Sequence, residues 1–285
     1  MSGPLPALGS TSSWQGGDVT ERATCVLAPN PGPMTLDGTN TWVLHEPGAP
    51  RALVLDPGPD DPAHLARIEA VVEARGARLA GVLLTHGHAD HSEGAVALAR
   101  AHGVGVRAFD PAHRLGDEGL GGGDVVVLDG LELRVLATPG HSGDSLSLHL
   151  VADGGLLTGD TVLGRGTTVV AHPDGRLGDY LASLQLLRDV AGEQDADVVL
   201  TGHGPVLVGA VGVIDGYLEH RAARLAHVRD AVTAIRASAG AAGDGGPEAL
   251  ALAVVESVYA DVPRAVWPAA VLSVRAQLEY LDAGR

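Results

Sequence analysis

The segment Thr85-His86-Gly87-His88-Ala89-Asp90-His91 packs three imidazoles and a carboxylate into six positions, directly after the apolar stretch Ala80-Gly81-Val82-Leu83-Leu84. Neutral imidazole and carboxylate are the donors that Zn²⁺ and its borderline neighbours prefer. A His-x-His-x-Asp-His loop at the end of a strand can serve two ions from one short piece of backbone. His86 and His88 could take one ion, and Asp90 and His91 a second. The competing reading is a solvated loop that holds histidines by chance; four ligand-type residues at this spacing weigh against it.

A metal site with positions open to water needs more than one loop. Three later segments repeat the form of a short apolar strand followed by a polar loop with a ligand-type residue. Leu133–Ala137 runs into Thr138-Pro139-Gly140-His141. Gly155-Leu156-Leu157 runs into Thr158-Gly159-Asp160. Asp197–Leu200 runs into Thr201-Gly202-His203-Gly204-Pro205. Gly or Pro flanks each ligand, which suits a tight turn where backbone comes close to an ion. A lone Gly-Asp is usually only a turn; four strand-to-loop ligands in one chain change that weighting.

The order His86-x-His88-x-Asp90-His91, His141, Asp160, His203 resembles the metallo-β-lactamase-fold hydrolase superfamily, with all seven ligand positions filled. The resemblance implies an α/β (α+β) fold, a four-layer αββα sandwich with a dinuclear metal centre at one edge of the two sheets. By the same resemblance His86, His88 and His141 hold the first ion, Asp90, His91 and His203 the second, and Asp160 bridges them. Further segments are similar to the β-lactamase-like-protein-2 branch. These are Asn30-Pro31-Gly32-Pro33, Gly38–Trp42, Thr158–Thr168, Asp179–Leu184 and Tyr217–Arg221. That branch includes single-strand-specific endoribonucleases, and fungal polyketide thioesterases are similar to it. Neighbouring branches fit less well. The only Cys is Cys25, far upstream of every ligand loop, where the main zinc β-lactamases place a Cys at the second metal. Glyoxalase II-like enzymes commonly use Lys to bind substrate carboxylates, and this chain has none; its 19 basic residues are all Arg. Flavodiiron proteins carry Glu at the place of His88, which disfavours a redox role.

Two divalent ions held this way lower the pKa of a bridging water to about 7 and polarise the substrate oxygen. The expected reaction is therefore hydrolysis by a metal-bridging hydroxide, with Asp90 able to orient it or carry a proton. Zinc is the first expectation for the two ions, with manganese and iron as alternatives. Arg165 and Thr167, in the loop after Asp160, are the candidate substrate contacts. His113, His149 and His172 fall outside the ligand pattern, and Ser92 has no nucleophile motif around it.

The elements that position these residues follow from the pattern. Strands are expected at Asn40–His45, Ala52–Leu55, 80–84, Gly103–Arg107, Asp124–Leu128, Leu131–Leu136 and Ser145–Val151, and before Asp160 and His203. Helices are expected at Pro62–Arg75, Glu93–Ala101 and Asp179–Val190. From about Ile214 the pattern turns helical, with Tyr217–Ala237, Pro247–Val258 and Val266–Leu281 at a 3.6-residue period. Three units result: a flexible tail over residues 1–20, a catalytic domain over 21–213, and a C-terminal helical, winged-helix-like domain over 214–285.

Composition bears on the substrate. The chain has 285 residues, 45% hydrophobic but only 3% aromatic, so its core must be built mainly from Leu, Val and Ala. No run of about 18 apolar residues exists, and no membrane partner is expected. The first twenty residues lack a basic start and an apolar segment, and one Cys cannot form an internal disulfide, so the expected compartment is the cytoplasm. A net charge of −16 repels polyanions at long range. Residues 215–285 hold nine acids and seven arginines, so most of the acidity lies in the catalytic body. Arg221, Arg224, Arg229 and Arg236 could form a modest basic face on the 217–237 helix; an ordinary amphipathic helix is the simpler expectation. The branch resemblance favours single-stranded RNA as substrate, and the charge favours a small ester, thioester or lactam. Of these, RNA phosphodiester cleavage is the leading expectation. A non-catalytic binding protein that keeps the fold is the remaining alternative. The C-terminal helices could bind substrate or support a homo-oligomer.

Overall fold

The computed structural model describes residues 13–239, 246–260 and 264–284. Twelve strands form two sheets of six, each in mostly sequential order. The first runs β1 (Gly17–Asp18), β2 (Ala23–Leu27), β3 (Asn40–His45), β4 (Arg51–Leu55), β5 (Arg78–Leu83) and β6 (Val106–Arg107). The second runs β12 (Leu207–Val208), β11 (Val198–Thr201), β10 (Gly155–Gly159), β9 (Leu146–Leu150), β8 (Leu131–Ala137) and β7 (Val125–Leu128). β4, β5 and β6 are parallel, as are β10 and β11; the other pairings are antiparallel. Among the described residues seven α-helices accompany them: α1 (Pro62–Ala74), α2 (Ala89–Ser92), α3 (Ala95–His102), α4 (Leu177–Glu193), α5 (Ala210–Ala239), α6 (Gly246–Val258) and α7 (Trp267–Asp282).

Strand side chains alternate between two apolar layers, because both faces of each sheet are covered. Trp42, Leu44, Leu53, Leu55 and Leu83 face the other sheet, where Leu133, Val135, Leu148 and Leu157 meet them. Val43, Val54 and Val82 point the other way, onto Ile68 and Val72 of α1 and Leu98 of α3. On the far side Leu156 and Val199 receive Tyr180, Leu184 and Leu187 of α4 and Ile214 of α5. The result is the αββα sandwich expected from the sequence. α1 starts where Asp61 accepts the Ala63 and His64 N–H groups and Pro62 occupies the first turn.

Two boundaries differ from the sequence expectation. Within the segment expected to be a loose tail, β1 pairs with Thr24 and Cys25 of β2, and Trp14 Nε1 donates to Asn40 Oδ1 at 2.8 Å. Residues 1–12 lie outside the described residues. α5 begins at Ala210, so the boundary drawn at 213/214 falls inside a continuous helix. Buried Ala210, Val213 and Ile214 hold its first turns despite Gly212 and Gly216. Beyond it, α5, α6 and α7 enclose their own cluster around Val228, Val254 and Val274. No strand occurs in this unit among the described residues, so the helical half of the expectation is what these residues display. No helix among the described residues is long and apolar enough to cross a membrane.

Candidate metal centre

The four loops expected to carry ligands meet at one edge of the two sheets. His86 and His88 follow β5, Asp90 and His91 sit on the single turn of α2, His141 follows β8, Asp160 follows β10, and His203 follows β11. Ligand-type atoms form three groups, each within 4.8 Å: His86, His88 and His141; His86, His91 and Asp160; and Asp90, His91 and His203. His88 Nδ1 is 3.0 Å from both His86 Nε2 and His141 Nε2. His203 Nε2 is 3.2 Å from Asp90 Oδ2 and 3.3 Å from Asp160 Oδ2. Asp160 lies between the groups, with Oδ2 3.6 Å from His141 Nε2 and Oδ1 3.4 Å from His91 Nε2. All seven residues singled out from the sequence are thus brought together.

Outward-facing ring nitrogens fix the histidines. His91 Nδ1 donates to Asp56 Oδ2 at 2.9 Å, His141 Nδ1 to the Val169 carbonyl at 2.9 Å, and His203 Nδ1 to the Gly38 carbonyl at 3.2 Å. His86 Nδ1 donates to Thr85 Oγ1 at 3.0 Å, because the Thr85 hydroxyl proton goes to Asp56 Oδ2 at 2.6 Å. With Nδ1 donating outward, each of these four rings turns its Nε2 inward, the arrangement that orients metal ligands. Asp56 is the positioning residue that reading the sequence missed. It stands in Leu55-Asp56-Pro57-Gly58, the same strand-to-loop form as the ligands, and there it reads as a turn.

The donor set fits divalent cations. Nε2 of His86 and of His141 each stand 3.0 Å from Nδ1 of His88, and with the His88 proton on Nε2 a cation satisfies three such lone pairs at once. Asp160 Oδ1 is buried without a hydrogen-bond partner. Charge agrees. Burial works against the imidazolium of His203, yet Asp160 and then Asp90 raise it to about 9. His91 is likewise raised well above its ordinary value against burial, by Asp160 and Asp56. The carboxyls of Asp160 and Asp90 lie below their usual range although burial pushes them up, because His203 and His91 outweigh it. His86 is lowered by burial and then by His91, and His88 by burial and then by His141, which favours neutral, ligating rings at these two positions. The site calls for positive charge beside its carboxylates and neutral nitrogen beside its imidazole triad.

The expected substrate contacts fare differently. Arg165 is tied to Asp37, Nη2 to Oδ2 at 2.5 Å. Thr167 is half-buried in the same loop. The basic face imagined on the 217–237 helix does not form. Arg221 is buried against Tyr180, and Arg224 lies over the Tyr259 ring at 4.7 Å, which leaves Arg229 and Arg236 exposed.

Residues 34–203 match the metallo-beta-lactamase superfamily. The chain is 32% identical to a beta-lactamase-like protein 2 homolog of Caenorhabditis elegans, over 92% of this chain and 85% of that one. It is 32% identical to the lactamase-like protein aptB of Emericella nidulans, over 88% of this chain and 79% of that one. A beta-lactamase domain protein from Burkholderia ambifaria has a similar structure, with TM-score 0.75, 23% identity, and 94% and 88% of the two chains covered.

Proposed function

The chain belongs to the metallo-β-lactamase superfamily of metal-dependent hydrolases, and from that premise we propose that it holds two zinc ions and hydrolyses a small acyl substrate, an ester, thioester or lactam. When bound, such ions supply hydroxide at neutral pH and Lewis acidity toward a carbonyl oxygen. His86, His88 and His141 hold one ion, Asp90, His91 and His203 the other, and Asp160 serves both. Asp90 is the carboxylate that meets solvent: its side chain is 30% exposed against 11% for Asp160. Asp90 is therefore the residue that would take a proton from the attacking water and pass it out; its Oδ2 faces His203 Nε2 at 3.2 Å. Thr39 Oγ1 steadies that oxygen from 3.5 Å.

The observation that carries the substrate class is the cleft beside exposed His88. It measures about 550 Å³ and is lined by Phe109, Pro111, His113 and the carboxylates of Asp110, Asp144 and Asp174. An exposed aromatic ring with three acidic groups suits an uncharged or cationic organic group and repels a phosphodiester backbone. The RNA reading implied by the sequence resemblance would need free cations near the site, and Arg165, Arg221 and Arg224 are all engaged elsewhere. The test offers zinc-loaded protein a panel of neutral esters, thioesters and lactams beside a labelled single-stranded RNA, with the His86→Ala, His88→Ala variant as control. Turnover of an acyl substrate above the control supports the reading. RNA cleavage with no acyl turnover overturns it.

A further inference from the structure

The loop between Asp160 and α4 touches both ligand groups and is held from behind by the C-terminal helices. Thr168 Oγ1 donates to the Asp160 carbonyl at 2.6 Å, and the next carbonyl, that of Val169, accepts from His141 Nδ1 at 2.9 Å. One dipeptide therefore sets Asp160, proposed to serve both ions, and His141, a ligand of the first. The Thr168 carbonyl in turn accepts from the guanidinium of Arg221, on α5.

Arg221 is an expensive residue to place there. It is 7% exposed, and its Nε is buried with no hydrogen-bond partner. A cation taken from water without full compensation is costly. What it gains is a stack and one directed bond. Its guanidinium carbon lies 4.8 Å over the Tyr180 ring. Tyr180 continues the chain of contacts toward the site. Its hydroxyl donates to the carbonyl of Thr161, next to Asp160, at 2.7 Å. Its backbone presses on Gly140, next to His141, where an added Cβ would stand 2.3 Å from Tyr180 Cα. A second tie runs beside it, from Leu163 N to the hydroxyl of Tyr217 of α5 at 2.9 Å.

We infer that Arg221 is a positioning residue of the metal centre: from the C-terminal helical unit it fixes the Thr168–Val169 dipeptide and, through it, the setting of His141 and Asp160. This rests on the reading that the cluster holds metal. It makes the C-terminal unit part of the site's construction as well as a cover for α4. The contrasting role is glue between α5 and α4, which would affect global stability alone. Groups that orient metal ligands typically change affinity by about 10–100-fold when removed, and glue does not.

The experiment uses full-length protein loaded with Co²⁺, with affinity read by chelator competition, ligand geometry by the visible absorption spectrum, and stability by thermal unfolding. Arg221→Met keeps the apolar stem and removes the donor. It is expected to bind Co²⁺ at least about tenfold more weakly and with an altered spectrum, at temperatures where it is fully folded. Arg221→Lys, which keeps a charged donor, is expected to recover part of both. Arg224→Met removes a stacked arginine lying wholly within the C-terminal unit, where it also reaches the Val258 carbonyl; it should lower the melting temperature and leave Co²⁺ affinity unchanged. Parent protein that binds no Co²⁺ overturns the metal reading itself. Parent binding with Arg221→Met within twofold of it, or equal weakening in Arg224→Met, overturns the positioning role and leaves the metal reading standing. Should Arg221→Met not fold, Arg221→Leu, which likewise lacks a donor, takes its place, and parent-like affinity there overturns the role equally.

Discussion

Gly202 lies against Asp160 so closely that a Cβ built on it would stand 2.5 Å from Asp160 Oδ1 and 2.9 Å from the Gly159 carbonyl oxygen. The oxygen in question is the buried one with no hydrogen-bond partner, so nothing but the absent side chain makes room for it. Gly202→Ala must therefore displace either Asp160 or the 201–204 turn that carries His203. Reacting groups displaced by about 1 Å lose on the order of 100-fold in rate. The expected outcome is a folded protein with that scale of loss in kcat and fewer than two tightly held ions, read by steady-state kinetics and metal analysis. Parent-like turnover and stoichiometry would refute the placement of Asp160 between the two groups.

Asp56 serves two ligands at once. Its Oδ2 accepts from His91 Nδ1 and from the Thr85 hydroxyl that carries His86, while Oδ1 accepts from Thr85 N at 2.8 Å. It adopts φ 52°, a conformation that Asn tolerates nearly as well as Asp. Asp56→Asn thus keeps the backbone and replaces one acceptor oxygen by a donor. Metal affinity should fall about 10–100-fold, measured by chelator competition; an unchanged affinity would mean that His91 and His86 are held by other contacts.

These two cases mark where the sequence was legible. Every ligand follows an apolar strand, so pattern alone located all seven, whereas the four-layer arrangement of the sheets came from the family resemblance. Asp56 has the same placement, but Asp-Pro-Gly is indistinguishable from an ordinary turn until the fold brings it under His91. The Val169 and Gly38 carbonyls leave no signal at all, since any residue supplies a carbonyl. β2 was missed because Ala23–Leu27 is short and lacks clear alternation; it is a strand through its pairing with β3. Gly212 and Gly216 hid the first turns of α5, which exist through burial of Ala210, Val213 and Ile214. The period of the 217–237 helix was readable, but not which arginines turn inward. Arg221 does so because Tyr180 and the Thr168 carbonyl, both distant in sequence, wait for it there.

The acidic cleft makes a prediction about substrate charge. Asp144 is committed, with Oδ1 accepting from Ser142 and Oδ2 from Gly87 N. Asp110 and Asp174 line the cleft and each accept one backbone N–H, through Oδ1. Replacing both by Asn preserves those bonds and removes two negative charges. At low ionic strength kcat/KM for an anionic ester should rise by roughly 2–10-fold, with no change for a neutral ester, and the gain should fade in high salt. An equal change for both esters, or none for the anionic one, would remove charge as the selecting principle.

A last prediction concerns acid stability, at a histidine outside the ligand set. His64, fully buried on α1, donates from Nε2 to Thr41 Oγ1 at 2.9 Å, because the Thr41 hydroxyl is itself spent on the Asp56 carbonyl at 2.7 Å. Its Nδ1 faces the Arg67 guanidinium at 3.2 Å and so accepts. Both nitrogens are satisfied only in the neutral ring. Burial first, and then the Arg67 charge, lower it from 6.5 to about 4, with Asp61 opposing. The unfolded chain protonates at about 6.5 and the folded one does not until about 4. The neutral ring's contribution to stability is therefore complete above pH 6.5 and is lost as pH falls from 6.5 to 4, by at most about 3 kcal/mol. His64→Gln offers the same donor and acceptor without a titrating group. In denaturant titrations the difference in unfolding free energy between parent and variant should be constant from pH 7 to 8.5. It should then move in the variant's favour by up to about 3 kcal/mol between pH 6.5 and 4. A difference that stays flat across that window would show that His64 takes up its proton as readily folded as unfolded.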